Sequence, residues 1–343
     1  MKKLLNTLYI STPHSYISKE NEKLVVRLDK ELSKEFPIHL LESVVCIGHV
    51  TCSSAVMGLC SEHGVGLAFF SENGKFIARV NGPLSGNVLL RRAQYRIADD
   101  ESVRAELARR FVVAKIANGR NVLLRALRDY PDIEGSENLK KTASYMAEIL
   151  KALQIKKTIE TVRGNEGDAA RAYFSVFNDL IVAQKKEFLF KERSRRPPMD
   201  NVNALLSFVY TLLAHDTVSA LEGVGLDSAV GYLHADRPGR PSLALDLMEE
   251  FRAMIADRLV LNLINRRQVK SEGFITTESG AVTMDDSTRK EVIINYQERK
   301  KEEIVHPFIN ERIPIGLLPH IQAMLLARYM RGDLDSYPPF RWK

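Results

Sequence analysis

Cysteine is scarce in this chain: Cys46, Cys52 and Cys60 are the only three among 343 residues. They are too few and too close together for a disulfide framework, which points to a reduced, cytoplasmic protein. The opening residues MKKLLNTLYISTPHSYI are basic but lack a long apolar stretch and a small-residue cleavage site, so no signal peptide is expected. The segment from Ser43 to Ser61 carries no Asp, Glu, Lys or Arg, yet it contains Gly48, His49, Gly58 and several Ser and Thr. Strand, turn and helix are expected there, not a membrane span. Repeats and low-complexity tracts are lacking, which excludes solenoid and disordered classes.

What is present is an ordinary globular mixture, 45% apolar and 27% charged, long enough for about two domains. Basic residues number 49 against 43 acidic, a net charge of +6. That mild excess permits a nucleic-acid partner without demanding one, because affinity depends on where the cations cluster.

The first 85 or so residues read as strands: KLVVRL (23–28), IHLLESVVCI (38–47), VGLAFF (65–70) and KFIARV (75–80) are short β-branched or aromatic runs. Asn73-Gly74 is a hairpin signal between two of them. A helix over 52–63 is expected to interrupt them, with Val56, Leu59, Cys60 and His63 on one face and Gly64 as its stop. After Asn81-Gly82-Pro83 the apolar period changes to three and four, through Leu89, Leu90, Ala93 and Ile97, then Leu107, Phe111, Val112 and Ile116. Helices are expected to about residue 330, broken at Pro131, Gly164, Pro197-Pro198, Gly223 and Pro238 to Pro241. The expected class is α+β, with an N-terminal β domain over 1–85 and a helical domain over 86–343 that carries the chemistry.

Three stretches of the helical part hold polar residues that packing explains poorly. In RGNEGDAARAYFSVFNDL (163–180), Glu166 sits beside two glycines at an expected helix start and shares a face with Ala170 and Tyr173. Taken alone, a first-turn acid favoured by the helix dipole explains it. In HADRPGRPSLALDLMEEFR (234–252), Ser242 is a preferred cap type, and Leu243, Leu247 and Phe251 define a buried stripe. Asp246 and Glu249 are three apart, and His234 can fold back over that helix. A solvated acidic face answered by Arg252 is the competing explanation. In KERSRRPPMDNVNALLSFVYTLLAHD (191–216), Arg193, Arg195 and Arg196 precede a helix expected near Asp200; they are either a solvated loop or a set of phosphate-binding guanidiniums.

Two carboxylates and one imidazole make an open oxygen and nitrogen site suited to Mg²⁺ or Mn²⁺. A divalent cation would relieve the repulsion between two gathered carboxylates. Cys46, His49, Cys52, Cys60 and His63 form a rival Cys/His cluster, but their spacings fit no compact zinc site, and small buried cysteines explain them better.

Stretches spread nearly end to end carry a resemblance: TCSSAVMGLCSEHGVGLAFFSENGKF, NGPLSGNVLLRRAQYR, RGNEGDAARAYF, RRPPMDNVNALLSFVYTLL, GYLHADRPGRPSLALDLMEEFR and YPPFRWK. The chain resembles the CRISPR-associated endonuclease and integrase family, the universal adaptation enzyme, and most closely its type I-C branch. That resemblance implies an N-terminal β domain that mediates dimerisation and a helical catalytic domain. It places Glu166, His234 and Glu249 on the family's metal ligands for Mg²⁺ or Mn²⁺, and Asp246 on a further acid of the site. Glu250 is the neighbouring candidate, and Glu249 is preferred because it keeps the three-residue spacing from Asp246. The implied reaction is spacer acquisition, in which the 3′-hydroxyl of a captured DNA fragment attacks a phosphodiester at the edge of a CRISPR repeat. Implied partners are double-stranded DNA, a second copy of the chain, a small second adaptation subunit and an end-trimming nuclease, with no membrane. Arg193, Arg195, Arg196, Arg237 and Arg240 would hold backbone phosphates. Two other readings are open: a general metal-dependent nuclease of DNA repair, and a catalytically idle DNA-binding scaffold.

Overall fold

The computed structural model describes residues 6–28, 32–71, 76–80, 82 and 88–342. The chain resolves into two compact units: Met1–Ser85 together with Met284–Gln297, and Gly86–Thr283 together with Glu298–Lys343. The class is α+β, strands first and helices after, as the periodicities lead one to expect.

In the first unit, β1 (Asn6–Ile10), β2 (Ser15–Glu20), β3 (Lys23–Leu28), β4 (Leu32–Pro37), β5 (Leu41–Ile47), β6 (Val50–Cys52), α1 (Ser54–Glu62), β7 (Gly66–Phe70) and β8 (Phe76–Val80) follow in order. One sheet has the order β1-β5-β7-β8 and a second the order β4-β3-β2-β6. β5 lies parallel to both β1 and β7, and its Val44, Val45, Cys46 and Ile47 are all buried, as expected for a strand covered on both faces. Ser53 starts α1 by accepting from Val56 N at 3.4 Å, and Gly64 follows its end at φ +64°, a conformation glycine adopts without strain. His63 leaves the expected apolar face: it is the residue that ends α1, and its Nε2 pairs with Glu22 at 2.8 Å. The Asn73-Gly74 turn lies outside the described residues, while the antiparallel pairing of β7 with β8 is seen.

The second unit contains α2 (Val88–Asp99), α3 (Glu101–Asp129), α4 (Ser136–Ala152), α5 (Ile159–Ser175), α6 (Asn201–Gly223), α7 (Ser242–Phe251) and α8 (Arg258–Asn265). A two-stranded sheet of β9 (Phe274–Thr276) and β10 (Val282–Met284) follows. α9 (Asp286–Lys301) runs from the first unit into the second, and β11 (Glu303–Val305), β12 (Arg312–Pro314) and α10 (Leu318–Met330) complete it. Asp100, Thr158 and Asp200 cap α3, α5 and α6 through their side-chain oxygens, each fixing the start of a helix that carries part of the site or its support. α3 packs against α4, α5 and α7, so the distant α7 meets α5 along one helix. α6 is long and apolar enough to cross a membrane, but 67% of that apolar window is buried inside the unit, which makes it a core helix.

Two expectations are corrected. Gly164 does not break a helix: α5 begins after Thr158, so Glu166 lies in the helix interior and is no first-turn acid. Ser242 does not cap α7; it is the first helical residue, and its hydroxyl donates to the Ala235 carbonyl at 3.1 Å.

Candidate active site

α7 is buried on almost every side. Leu243, Leu247 and Phe251 form the expected stripe, and Asp246, Glu249 and Glu250 are also 0–2% exposed. The acids are therefore not a solvated face. A buried carboxylate persists only with partners, and each of the three has a different set.

Asp246 organises the loop before α7. Its Oδ2 accepts from Tyr232 N at 2.6 Å and Leu233 N at 2.9 Å, and its Oδ1 accepts from His234 N at 2.9 Å. The same Oδ1 lies 2.6 Å from His234 Nδ1. A carboxylate only accepts, so Nδ1 carries the proton and Nε2 is the ring's remaining acceptor. Gly231 makes the loop possible, because a Cβ there would meet His234 O at 2.4 Å.

Glu249 faces two cations. Oε1 pairs with Arg252 Nη2 at 3.0 Å, and Oε2 lies 3.0 Å from Lys115 Nζ. Oε2 is buried without an aligned hydrogen bond, so that contact is an ion pair of poor direction. Lys115 Nζ also pairs with Glu166 Oε1. One ammonium from α3 thus stands against carboxylates from α5 and α7. Burial pushes the Glu249 carboxyl up, but the charges of Arg252, Lys115 and His234 outweigh it and hold it at about 2. Glu249 is anionic at neutral pH. Glu166 and His234 keep 27% and 25% of their side chains exposed, so the cluster opens to solvent on their side. Gly164 and Gly167 are sequence neighbours of Glu166 within α5, and a Cβ at either would meet nothing within 4 Å.

Glu250 serves a different purpose. Its oxygens accept from Tyr337 Oη at 2.7 Å, Phe340 N at 2.7 Å and Gln322 Nε2 at 2.9 Å. The YPPFRWK ending is anchored there, and Trp342 lies between the guanidiniums of Arg125 and Arg258, at 4.5 and 4.8 Å from its ring centroid.

The arginines divide. Arg195, Arg196 and Arg237 are exposed and Arg240 is half-buried. Arg193 turns inward, donating to Ser194 O, to Asn203 Oδ1 at 2.6 Å and to Ser207 Oγ at 3.1 Å. Its guanidinium is engaged in local structure. The cysteines sit in or against the core of the first unit, with burial raising the Cys46 and Cys60 thiols to about 12 and 11. They are inert packing residues.

Sequence reasoning missed Lys115, and also the group behind it. Tyr173 and Tyr210 donate to the two oxygens of Asp257 at 3.0 and 2.5 Å, and Arg252 stacks 4.7 Å over the Tyr210 ring. Burial pushes the Asp257 carboxyl up to about 6. Arg252–Asp257 forms a π-helical turn, a deviation frequent beside functional residues. Lys115 had one visible signal: a cation on the side of α3 that carries the buried Phe111 and Val112.

Residues 8–298 match the protein family described as CRISPR associated protein Cas1. The chain belongs to the Cas1 family. It is 54% identical over 343 residues to CRISPR-associated endonuclease Cas1 1 of Chlorobaculum tepidum, covering 100% of both chains. It is 49% identical over 347 residues to CRISPR-associated endonuclease Cas1 2 of Rhodospirillum rubrum, again covering 100% of both. Among solved structures it is similar to a CAS1 protein from Thermotoga maritima, with TM-score 0.82 and 21% identity over 98% of this chain and 100% of that one. At that identity the likeness speaks for the Cas1 fold.

The donor types suit a divalent ion: two carboxylates face one cation, Glu249 Oε2 lacks an aligned donor, and His234 is turned with Nδ1 on Asp246. As the side chains stand, Lys115 fills the interval between the carboxylates. Among the described residues, no three His, Cys, Asp or Glu groups surround one point fit for a metal.

Proposed function

We propose that this Cas1-family chain is a CRISPR adaptation integrase of the I-C-like branch, a metal-dependent DNA endonuclease and strand transferase. The observation that carries the reading is the meeting of Glu166 and Glu249 over one cation beside a His234 oriented by Asp246. Glu166, Glu249 and His234 Nε2 would hold Mg²⁺ or Mn²⁺. When bound, the ion would polarise a phosphodiester and lower the pKa of a hydroxyl or water.

The chain's own residues supply the rest. Glu249, anionic at neutral pH, offers a ligand that needs no deprotonation. Asp246 keeps His234 in one tautomer and orientation. Arg195, Arg196, Arg237 and Arg240 steer and hold DNA phosphates with little sequence preference. In the joining step, the incoming 3′-oxygen forms a new P–O bond to the phosphate at the 5′ edge of the repeat as the 3′-oxygen of the flanking strand leaves. The nucleophile's proton passes to solvent and the leaving oxygen takes one up, so phosphodiester number is unchanged.

The N-terminal β unit is the proposed dimerisation element. The dimer works in the cytoplasm with the small second adaptation subunit and an end-trimming nuclease on double-stranded DNA. The test is joining of a 3′-hydroxyl fragment to a repeat duplex, with Mn²⁺, the second subunit and purified chain. Joining that disappears in Glu166→Ala and His234→Ala, with duplex binding retained, supports the reading. Cutting of branched DNA without joining would make the chain a repair nuclease, and binding insensitive to chelator and to Glu166→Ala would make it a scaffold.

A further inference from the structure

A cation already sits where the two carboxylates converge, and it belongs to the chain. Lys115 leaves α3 on the side of Phe111 and Val112, with Asn118 and Gly119 one turn on, and only 15% of its side chain is exposed. An ammonium in such surroundings is tolerated only when it is paired, and its partners are Glu166 and Glu249 Oε2, at 3.0 Å in the second case. Arg252 neutralises Glu249 from the other side at 3.0 Å. Glu166 and Glu249 thus each have a cationic partner within the chain, with nothing added.

Those pairings cannot all survive the arrival of a divalent ion at the same oxygens. An ammonium and a dication sharing two carboxylates would stand a few ångströms apart with little water between them, and like charges at that range repel strongly. Arg252 can stay, since it uses Oε1 and is stacked on Tyr210. Lys115 has to withdraw. Its four-carbon stem allows this, and the side on which Glu166 and His234 are a quarter exposed gives it somewhere to go.

We propose that Lys115 is a resident counter-ion that competes with the divalent cation for Glu166 and Glu249. It gathers the two carboxylates in the metal-free protein and gives way on loading, so the site is preorganised but its metal affinity is held down. This inference rests on the integrase reading of the same site. Lys115 is here a positioning residue, and its removal has an effect that a merely structural role cannot produce: tighter metal binding.

The test uses the full chain and Mn²⁺ alone, with free Mn²⁺ followed by electron paramagnetic resonance. Lys115→Gln is expected to bind Mn²⁺ roughly tenfold or more tightly than the wild type. It is also expected to melt lower in chelator and to show a larger rise in melting temperature on adding Mn²⁺. Lys115→Met, similar in length and apolar, gives the same ordering if the glutamine variant fails to fold. Unchanged or weaker Mn²⁺ affinity in both variants, with wild-type binding lost in Glu166→Gln, overturns the competition while leaving the integrase reading standing. No Mn²⁺ binding by the wild type or either variant overturns both.

Discussion

Glu249 and Glu250 are consecutive residues of one helix, both buried, and they lie in opposite electrical surroundings. Burial pushes both carboxyls up. At Glu249 the charges of Arg252, Lys115 and His234 outweigh it and bring the group to about 2. At Glu250 the partners are the neutral donors of Phe340, Tyr337 and Gln322; they only soften the effect of burial, and the group settles at about 8. A buried acid is thus made a ligand or a latch by whether its neighbours are ions or dipoles. One glutamate looks into the candidate metal site, while its neighbour clamps the chain's end.

The sharpest way to break this contrast is to exchange the roles by mutation. Glu249→Ala should abolish strand joining while the C-terminal tail stays docked, measured by an integration assay beside limited proteolysis. Glu250→Ala should do the reverse. It strands the donors of Tyr337, Gln322 and Phe340, costing about 1–3 kcal/mol in denaturant unfolding, and the tail becomes protease-sensitive while joining persists at temperatures where the protein is folded. Loss of joining in a well-folded Glu250 variant would erase the distinction.

A smaller effect is expected one turn earlier. Asp246→Asn leaves one acceptor oxygen where two now serve, so either the His234 ring and backbone N–H or the Tyr232 and Leu233 N–H groups face an amide NH2, and the charge that holds the ring is gone. Metal affinity or joining should fall about 10–100-fold; an unchanged Mn²⁺ titration would show that Asp246 does not orient a ligand.

The two glutamates also differ in how they link stability to pH. Glu250 has a folded value of about 8 against an ordinary 4.5, so the folded state keeps a proton that the unfolded chain loses in that window. Its contribution therefore falls as pH rises from 4.5 to 8, by at most about 1.4 kcal/mol per pH unit. Glu249, with a folded value of about 2 against 4.5, contributes stability above 4.5 that is lost only as pH falls toward 2. Glu250→Gln should flatten the decline in melting temperature between pH 5.5 and 8.5. An unaltered slope would mean that Glu250 is ionised when folded.

The smallest expected effect lies at the surface. Arg195→Ala or Arg237→Ala should each reduce the salt slope of duplex binding by about 1. Arg193→Ala should leave the slope alone and lower the melting temperature, because its guanidinium is engaged by Asn203 and Ser207.

The class and the shared side of Asp246 and Glu249 were legible in the sequence for local reasons. A β-branched run marked β3 and an aromatic one β7, and the three-residue spacing in α7 put Asp246 and Glu249 on one side. Gly164 misled, because glycine ordinarily punctuates helices, whereas here it lies inside α5. β1, β2 and β4 escaped notice; their runs mix polar and apolar residues and are strands by virtue of their sheet partners. The choice between Glu249 and Glu250 rested on spacing alone, since the partners of Glu250 come from the far end of the chain. Lys115 was hidden for the same reason: its stripe on α3 is visible locally, but its two acids arrive from α5 and α7.

The central claim is that Glu166, His234 and Glu249 grip one divalent ion. Anomalous diffraction from crystals grown with Mn²⁺ tests it most directly. The account predicts a single strong peak within coordinating distance of both carboxylates and of His234 Nε2, with Lys115 moved aside. A peak bound elsewhere, or none while Lys115 still bridges the two glutamates at saturating Mn²⁺, would contradict it.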